Sequence, residues 1–279
     1  MKIKKNANAK INIGLEILNK RSDEYHNLNT VFYSLNNLYD ELIFERNDDQ
    51  KVKIDSNIPE LNTKDNLIYT AIRKIERKVN KKIGVNIHLT KNIPMGAGLG
   101  GGSSDAACTI NAIDQLYELG LSYNDKLILA QAVGSDVPFF LQGGAAIGRS
   151  RGESLTFFEY EIPLQIVVVS PNIHVSTPAA YGELHRDSTP RNMVDYKMIL
   201  DNAKDNPSLM RSMIFNEFEK PIFAKHPEIK EIKHKLYEQG AIFSLMSGSG
   251  SSVFGMFESG FDVEKLHDVF PNYKVMKAN

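Results

Sequence analysis

A glycine-rich segment constrains this chain more than any other part of its sequence. Residues 94–105 read Pro-Met-Gly-Ala-Gly-Leu-Gly-Gly-Gly-Ser-Ser-Asp, with five glycines in seven positions. Glycine reaches positive φ and lets the backbone approach a ligand without interference from a Cβ atom. The apolar run 85–90 precedes this loop, and a helical pattern begins near Ser104. Because a helix N-terminus offers unpaired N–H groups and the positive end of the helix dipole, the sequence predicts an anion site, most often one for phosphate.

Two common phosphate-binding loops do not fit this segment. Gly96, Gly98 and Gly101 match the dinucleotide pattern G-x-G-x-x-G, but that fingerprint requires a strand that runs directly into the glycines. Here residues 91–95 separate the apolar run from the first glycine. A Walker A loop requires Gly-Lys-Ser/Thr after its last glycine, whereas Ser103 follows directly here. The pattern therefore favours a phosphate loop of another type.

The composition is that of an ordinary globular protein, with 42% hydrophobic residues, 24% charged residues and a formal net charge of −1. The lysines are scattered and form no basic patch of the kind that binds nucleic acid. No stretch approaches the roughly 20 apolar residues of a membrane helix. Asn12 and Glu16 interrupt the apolar stretch near the N-terminus, unlike a signal peptide. We therefore expect a cytoplasmic protein that binds neither nucleic acid nor membranes.

The first part of the chain alternates strand and helix patterns. Apolar residues at every second position predict a strand over 9–17, and further strands are expected over 28–38 and 41–45. A helical stripe predicts a helix over 65–79, with Asp65 as its N-cap. Two more helices are expected after the glycine loop: the first ends at Gly120, and the second covers 125–133 and stops at Gly134.

The second part predicts a different arrangement. A buried-type strand over 165–170 precedes helical stretches near 196–224 and 227–239. Strands over 241–246 and 252–257, a helix over 263–270 and a strand over 273–277 follow. Strand, helix, strand, strand, helix, strand is the ferredoxin-like split βαβ order. We therefore predict two α+β domains, residues 1–158 and 159–279.

Three further segments carry polar residues, and each also has a plain structural interpretation. Lys10 and Asn12 share one face of the period-two strand, as in any half-exposed strand. Asp136 precedes Val-Pro, where an aspartate is usually a turn or cap residue. Residues 247–255 read Ser-Gly-Ser-Gly-Ser-Ser-Val-Phe-Gly, a composition typical of flexible linkers. Apolar strands flank this last segment closely, which favours a tight loop in a packed domain.

Taken together, these segments resemble the GHMP small-molecule kinases, a family that includes galactokinase, homoserine kinase and mevalonate kinase. The resemblance lies in Lys10-Ile-Asn12, in residues 94–105 and in residues 247–255, in the order of the family's three motifs. Lys-Arg-Ser-Asp-Glu-Tyr-His at 20–26 and Gly-Ser-Asp-Val-Pro-Phe at 134–139 resemble the branch that acts on a cytidine diphosphate substrate. The similarity extends from about residue 3 to residue 257.

The chain departs from the family pattern in two places. Asn6-Ala7-Asn8 stands where the family usually has Ala-Pro, and Glu24 replaces the usual glycine of Asp-Gly-Tyr-His. The second departure concerns the turn that presents Tyr25 and His26, although both of these side chains are retained.

The resemblance implies a two-domain α+β fold, with an N-terminal domain like domain 2 of ribosomal protein S5 and a ferredoxin-like C-terminal domain. It implies ATP-dependent phosphorylation, with Mg²⁺, of the 2-hydroxyl of cytidine diphosphate methylerythritol in the non-mevalonate route to isoprenoid precursors. The products would be the 2-phosphate and ADP. The protein would act as a monomer or a homodimer.

The resemblance also implies roles for individual residues. Asp136 would be the base for the substrate hydroxyl and Lys10 would orient it, while Asn12 would contact the substrate near its reacting end. Tyr25 and His26 would bind the pyrimidine. Tyr181 would cover the other face of the pyrimidine, or would simply belong to the core. The ATP phosphates would be bound by Pro94, Met95, Gly96, Ala97, Gly98, Leu99, Gly100, Gly101, Gly102, Ser103 and Ser104. The metal ligands stay open.

Two alternatives remain beside this interpretation. The chain could be another kinase of the same family, with mevalonate or homoserine as substrate, but the Tyr25-His26 pair argues against that. It could also be a nucleotide-binding relative without activity. The retention of Lys10, Asp136 and the complete glycine loop argues against this second alternative.

Overall fold

A computed structural model describes residues 1–184, 186–189, 192–203 and 206–279. The chain forms two compact units, and neither unit is a continuous segment. The first comprises Met1–Ala9, Tyr39–Met95 and Gly100–Gly143, and the second comprises Lys10–Leu38, Gly96–Leu99 and Gly144–Asn279. These units are not the two consecutive segments expected from the sequence. The domain boundary near residue 158 stays a prediction.

Two long strands, β1 (Lys2–Lys20) and β2 (His26–Arg46), pair with each other, and each contributes residues to both units. The strand predicted over 9–17 lies within β1. The two strands predicted over 28–38 and 41–45 are a single strand. Tyr39 and Asp40, which lie between the two predicted strands, are neither glycine nor proline and do not end the strand.

The first unit packs helices against the ends of these strands. Strand β3 (Val52–Ser56) is parallel to β4 (Val85–Thr90), which pairs antiparallel with Glu41–Arg46 of β2. A short 3₁₀ helix, Pro59–Leu61, follows β3. The α-helices are α1 (Leu67–Val79), α2 (Gly101–Tyr117), α3 (Tyr123–Val133) and α4 (Val137–Phe140). Their apolar faces and β4 share one buried cluster, which includes Ile72, Ile87, Ile110 and Ile113.

The N-cap of α1 is Asn66, and the predicted cap Asp65 is wrong. The side chain of Asn66 accepts a hydrogen bond of 3.0 Å from the backbone N–H of Ile68, and its backbone is extended. Aspartate and asparagine cap helices equally well, so residue type could not decide between two adjacent candidates.

Helix α2 also begins and ends earlier than its pattern predicted. It begins at Gly101 rather than near Ser104, so the last glycines of the loop are helical. It ends at Tyr117 rather than at Gly120, and its C-cap Glu118 takes the left-handed conformation (φ 51°). Helix α3 ends at Gly134, as predicted.

The second unit contains a four-stranded antiparallel sheet. Its strands lie in the order β10 (Lys274–Lys277), β7 (Gln165–Ser170), β9 (Val253–Phe257) and β8 (Phe243–Met246). Helix α9 (Pro227–Glu238) precedes β8, and helix α10 (Glu264–Val269) precedes β10. This is the ferredoxin-like order predicted from the sequence.

The remaining elements of this unit are β5 (Ala145–Ser150), β6 (Ser154–Phe158) and four short helices, α5 (Thr177–Gly182), α6 (Tyr196–Ala203), α7 (Ser208–Met213) and α8 (Glu219–Lys225). Strand β5 pairs antiparallel with β2 and with β6. The single helix predicted near 196–224 is therefore wrong, although residues 204 and 205 of that stretch lie outside the described residues. Pro207, just before α7, lacks the N–H that a continuous helix would need.

None of the helices in the described part of the chain combines the length and the apolar character needed to cross a bilayer.

Candidate active site

Lys10 and Asn12 are buried polar residues on β1. They are 4% and 3% exposed, so the half-exposed strand considered above is wrong for this pair. The Nζ of Lys10 donates hydrogen bonds of 2.6 Å to Oδ1 of Asn12 and 3.1 Å to the carbonyl oxygen of Gly98. Asn12 Nδ2 donates to Thr30 Oγ1 at 2.9 Å. These contacts fix an ammonium group beside the glycine loop.

The serine-glycine segment at 247–252 binds to the same part of the loop. Ser247 Oγ donates to the Gly98 carbonyl at 2.9 Å and accepts from the backbone N–H of Asn12 at 3.3 Å. The N–H of Ser252 donates to the carbonyl of Ala97 at 3.2 Å. Since Ser247, Ser251 and Ser252 are all buried, the segment is a packed loop rather than a linker.

Only glycine fits at position 98. Its φ is +77°, and a Cβ atom built there would lie 2.0 Å from the backbone oxygen of Ser247. A Cβ on Gly96 (φ +62°) would lie 2.7 Å from the ring of His174. Ala97 and Leu99, between and after these glycines, are buried and anchor the loop. Pro94 is half-buried and Met95 is exposed.

The last part of the loop leads into a helix N-terminus that suits an anion. Gly100, at φ 72°, is the N-cap of α2, and no side chain in the described part of the chain forms a cap hydrogen bond there. The first turn carries no acidic residue. The first N–H groups of a helix have no partner within it, so this end offers donors and a positive dipole. Gly102 is exposed, Ser103 is half-buried and Ser104 is buried. The free N–H donors and the absence of an acidic residue in the first turn of α2 suit a phosphate group.

Asp136 lies at the N-cap position of α4, in the first unit. It is half-buried, and within the described ranges its side chain makes no cap hydrogen bond to the helix. The next three residues, Val137 to Phe139, are buried and fix the start of the helix. The carboxylate is therefore not used as a cap. The pairing of Asp136 with Lys10, which belongs to the second unit, stays a prediction.

The three aromatic residues expected at the pyrimidine end lie in the second unit. The rings of His26 and Tyr181 stack with centroids 5.1 Å apart and an interplanar angle of 17°. Tyr181 also meets Phe218 edge to face at 5.0 Å, so it packs against the core on one side. Tyr25 is 53% exposed. Burial lowers the pKa of His26, and the positive charges of Lys20 and Arg186 lower it further. The neutral imidazole is therefore favoured.

The turn that presents these residues keeps a glycine-like backbone although it has no glycine. Glu24 has φ +67°, the left-handed region. The N–H of Arg21 donates to the carbonyl of Tyr25 at 2.8 Å, and the N–H of Tyr25 donates to Oδ1 of Asp23 at 3.2 Å. Glu24 therefore takes a left-handed conformation that glycine adopts readily, at a conformational cost of about 1 kcal/mol.

A buried charge cluster in the first unit escaped the sequence analysis. Lys91 Nζ donates to Oδ2 of Asp105 at 2.8 Å and to the carboxylate of Asp40, and all three side chains are almost fully buried. A Cβ on Gly101 would lie 3.1 Å from Lys91 Nζ. The cluster therefore lies directly beneath the first residue of α2. Asp40 Oδ1 also accepts from the N–H of Ile93 at 2.9 Å.

The electrostatics of this cluster are unbalanced, because one lysine faces two carboxylates. Burial raises the pKa of Asp105 to about 7 despite the opposing attraction of Lys91, and the charge of Asp40 adds to the increase. Burial alone would lower the pKa of Lys91, but the two carboxylates outweigh it and raise that pKa. Oδ1 of Asp105 is buried and has no hydrogen-bond partner among the residues that the structure describes.

No group of three or more histidine, cysteine, aspartate or glutamate residues in the described ranges is arranged to hold a metal ion.

Comparison with known proteins now gives the family. The profile for the GHMP kinases N terminal domain matches residues 66–144, and the profile for the GHMP kinases C terminal domain matches residues 198–274. The chain belongs to the GHMP kinase family. The predicted GHMP kinase fold, with an N-terminal and a C-terminal domain, is thereby confirmed.

Several similar proteins with curated names share one name. A protein of Thermodesulfovibrio yellowstonii named 4-diphosphocytidyl-2-C-methyl-D-erythritol kinase is 36% identical over 95% of this chain and 93% of its own length. One of the same name from Prosthecochloris aestuarii is 39% identical over 93% of this chain and 90% of its own length. A crystal structure of 4-(cytidine 5'-diphospho)-2C-methyl-D-erythritol kinase matches with a TM-score of 0.81 and 32% identity, covering 98% of this chain and 97% of that one.

Replacement of Gly98 by alanine should disrupt folding of the kinase loop. The positive φ and the collision with the Ser247 oxygen should together cost about 2–5 kcal/mol of unfolding free energy. Gly102→Ala is the matched control, because its Cβ would only touch Leu67 at 3.7 Å. Urea unfolding monitored by circular dichroism measures both variants. Equal stabilities would contradict the contact described here.

Asp105→Asn should remove a pH dependence of stability. Because the folded-state pKa of Asp105 is raised above its ordinary value of 3.8, the folded state binds this proton more tightly than the unfolded state. Its contribution to stability is therefore complete at about pH 4 and is lost as the pH rises through about 7. Relative to wild type, the variant should gain more than about 1 kcal/mol between pH 5 and pH 8, the equivalent of one pKa unit. Parallel stability curves from urea unfolding would show that Asp105 does not titrate in this range.

Proposed function

We propose that this chain phosphorylates the 2-hydroxyl of 4-diphosphocytidyl-2-C-methyl-D-erythritol with ATP, giving the 2-phosphate and ADP, in the non-mevalonate route to isoprenoid precursors. One observation carries the proposal: relatives of that name align over more than nine tenths of the chain. The buried Lys10, bound to the glycine loop, supports it. The proposed enzyme acts in the cytoplasm on small molecules, as a monomer or a homodimer.

The phosphate donor would bind at the glycine loop. Residues 96–104 would supply backbone N–H groups and the uncapped start of α2, which suit the phosphates of ATP. The hydroxyl of Ser103 or Ser104 would contact a phosphate oxygen or Mg²⁺. When bound, Mg²⁺ would supply positive charge to the phosphates; the protein would contribute position and hydrogen bonds.

Catalysis would rest on Asp136 and Lys10. Asp136 would accept the proton of the substrate hydroxyl, and Lys10 would orient the pair and offset developing negative charge. A carboxylate is a weak base for an alcohol. In a loose transition state the hydroxyl loses its proton late, when its oxygen has become acidic, so orientation would be the main contribution of Asp136.

The acceptor would be recognised at both of its ends. Asn12, whose amide is fixed by Lys10 and Thr30, would contact the substrate near the reacting hydroxyl. Tyr25, His26 and Tyr181 would bind the cytosine, because a pyrimidine needs an aromatic face for stacking and a polar edge for hydrogen bonds. The neutral His26 can donate one hydrogen bond and accept another.

A coupled assay for ADP release over a panel of acceptors tests the proposal. We expect turnover with 4-diphosphocytidyl-2-C-methyl-D-erythritol and background rates with mevalonate and homoserine. Turnover of either of these two without turnover of the cytidine substrate would assign the chain to another kinase of the family. No turnover with any acceptor, while ATP still binds, would identify a relative without activity.

Asp136→Asn should lower kcat by about 10²–10⁴, the usual effect of losing a general base. The asparagine keeps the shape of the side chain but cannot take a proton. ATP binding, measured by calorimetry, should stay within about twofold of wild type, since the donor site is formed by other residues. Near-normal turnover would show that Asp136 is not the base.

A further inference from the structure

Tyr25 has a fixed backbone and an exposed ring. Its N–H and carbonyl are both hydrogen-bonded within the turn, to Asp23 and Arg21, yet the residue is 53% exposed. A tyrosine ring that turns freely about two side-chain bonds is a poor stacking platform, because ordering it on binding costs free energy. The orientation of this ring therefore matters for any aromatic ligand.

A second arginine-containing turn holds the ring from one side. The Cζ atom of Arg151 lies 4.7 Å from the centroid of the Tyr25 ring, within the range of a cation–π contact. Arg151 follows β5 and lies between Ser150 (φ 62°) and Gly152 (φ 109°). Its own N–H donates to Glu153 Oε2 at 2.8 Å, which fixes the backbone from which the guanidinium extends.

The two turns are also joined by Arg21. Its Nη1 donates to Ser150 Oγ at 2.8 Å and to Asn27 Oδ1 at 3.0 Å, so Arg151 is held close to the turn that carries Tyr25. The Nε atom of Arg151 is buried, and within the described residues it has no hydrogen-bond partner. Its nearest carboxylate oxygen, Glu153 Oε1, is 3.7 Å away. The stacking contact with Tyr25 is thus a principal contact of this guanidinium.

We propose that Arg151 is a positioning residue for the acceptor, whose guanidinium holds one face of the Tyr25 ring so that the other face is ready to stack on the pyrimidine. This inference rests on the proposed function. It adds a residue that determines affinity for a cytidine-containing acceptor and leaves the donor and the chemical step unaffected.

Steady-state kinetics of Arg151→Gln test the inference. We expect KM for the cytidine substrate to rise about five- to tenfold, the equivalent of a cation–π contact at a partly exposed site. KM for ATP and kcat should stay within about twofold, because Arg151 acts only on the acceptor end. Arg151→Met, which keeps the length of the side chain without its charge, is the second variant if the glutamine variant does not fold. Calorimetric titration with cytidine diphosphate should show the same loss of affinity without turnover.

A double-mutant cycle with Tyr25 separates positioning from a general structural effect. On a Tyr25→Leu background, Arg151→Gln should change the acceptor KM by less than about twofold, because the ring that it positions is gone. Arg149→Gln, an exposed arginine on β5 two residues earlier, is the matched control and should behave as wild type.

Three results would overturn the inference: an unchanged acceptor KM, an equal rise in both KM values, or the same effect with and without the Tyr25 ring. If wild type does not turn over the cytidine substrate at all, the proposed function fails before any variant is compared. The two failures are therefore distinguishable.

Discussion

The carbonyl oxygen of Gly98 joins three segments that are far apart in the sequence. It accepts hydrogen bonds from the ammonium of Lys10 and from the hydroxyl of Ser247, so both lone pairs are used. A side chain at position 98 would push the loop away from Ser247, and both bonds would lengthen. Lys10 would then lose one of its hydrogen-bond acceptors, which is costly for a buried ammonium. The absence of one Cβ atom thus determines where the lysine can lie.

A second buried lysine supports the other end of the loop, where α2 begins. Lys91 shares its charge between Asp40 and Asp105, and loss of Lys91 would leave two buried carboxylates without a compensating charge. Buried ion pairs rarely add net stability, so a gain in stability does not account for this cluster. Its effect is geometric: it ties the end of β4 to the first turns of α2 and so fixes the N–H groups of that turn.

The sequence predicted the order of elements better than the contacts between them. Apolar runs bounded by glycine gave the ferredoxin-like order of the second unit, because buried strands and helix ends leave local patterns. The cluster of Asp40, Lys91 and Asp105 left no such pattern, since its members are separated by 51 and 14 residues. A lysine directly after a buried strand was the one available signal. The sequence also could not decide whether Tyr181 belongs to the site or to the core. Its ring contacts both the core residue Phe218 and the ring of His26.

The turn at Glu24 has a left-handed backbone conformation although the residue there is not a glycine. The left-handed conformation costs a non-glycine residue about 1 kcal/mol. The ion pair of Glu24 with Lys20 cannot offset that cost, because Glu24 is 80% exposed there and such pairs contribute little. The hydrogen bonds that Arg21 and Asp23 make to the backbone of Tyr25 contribute about 1 kcal/mol each and can offset that cost. The path of the turn is therefore set by residues on either side of position 24. Tyr25 and His26 are thus presented by a turn whose left-handed residue is not a glycine.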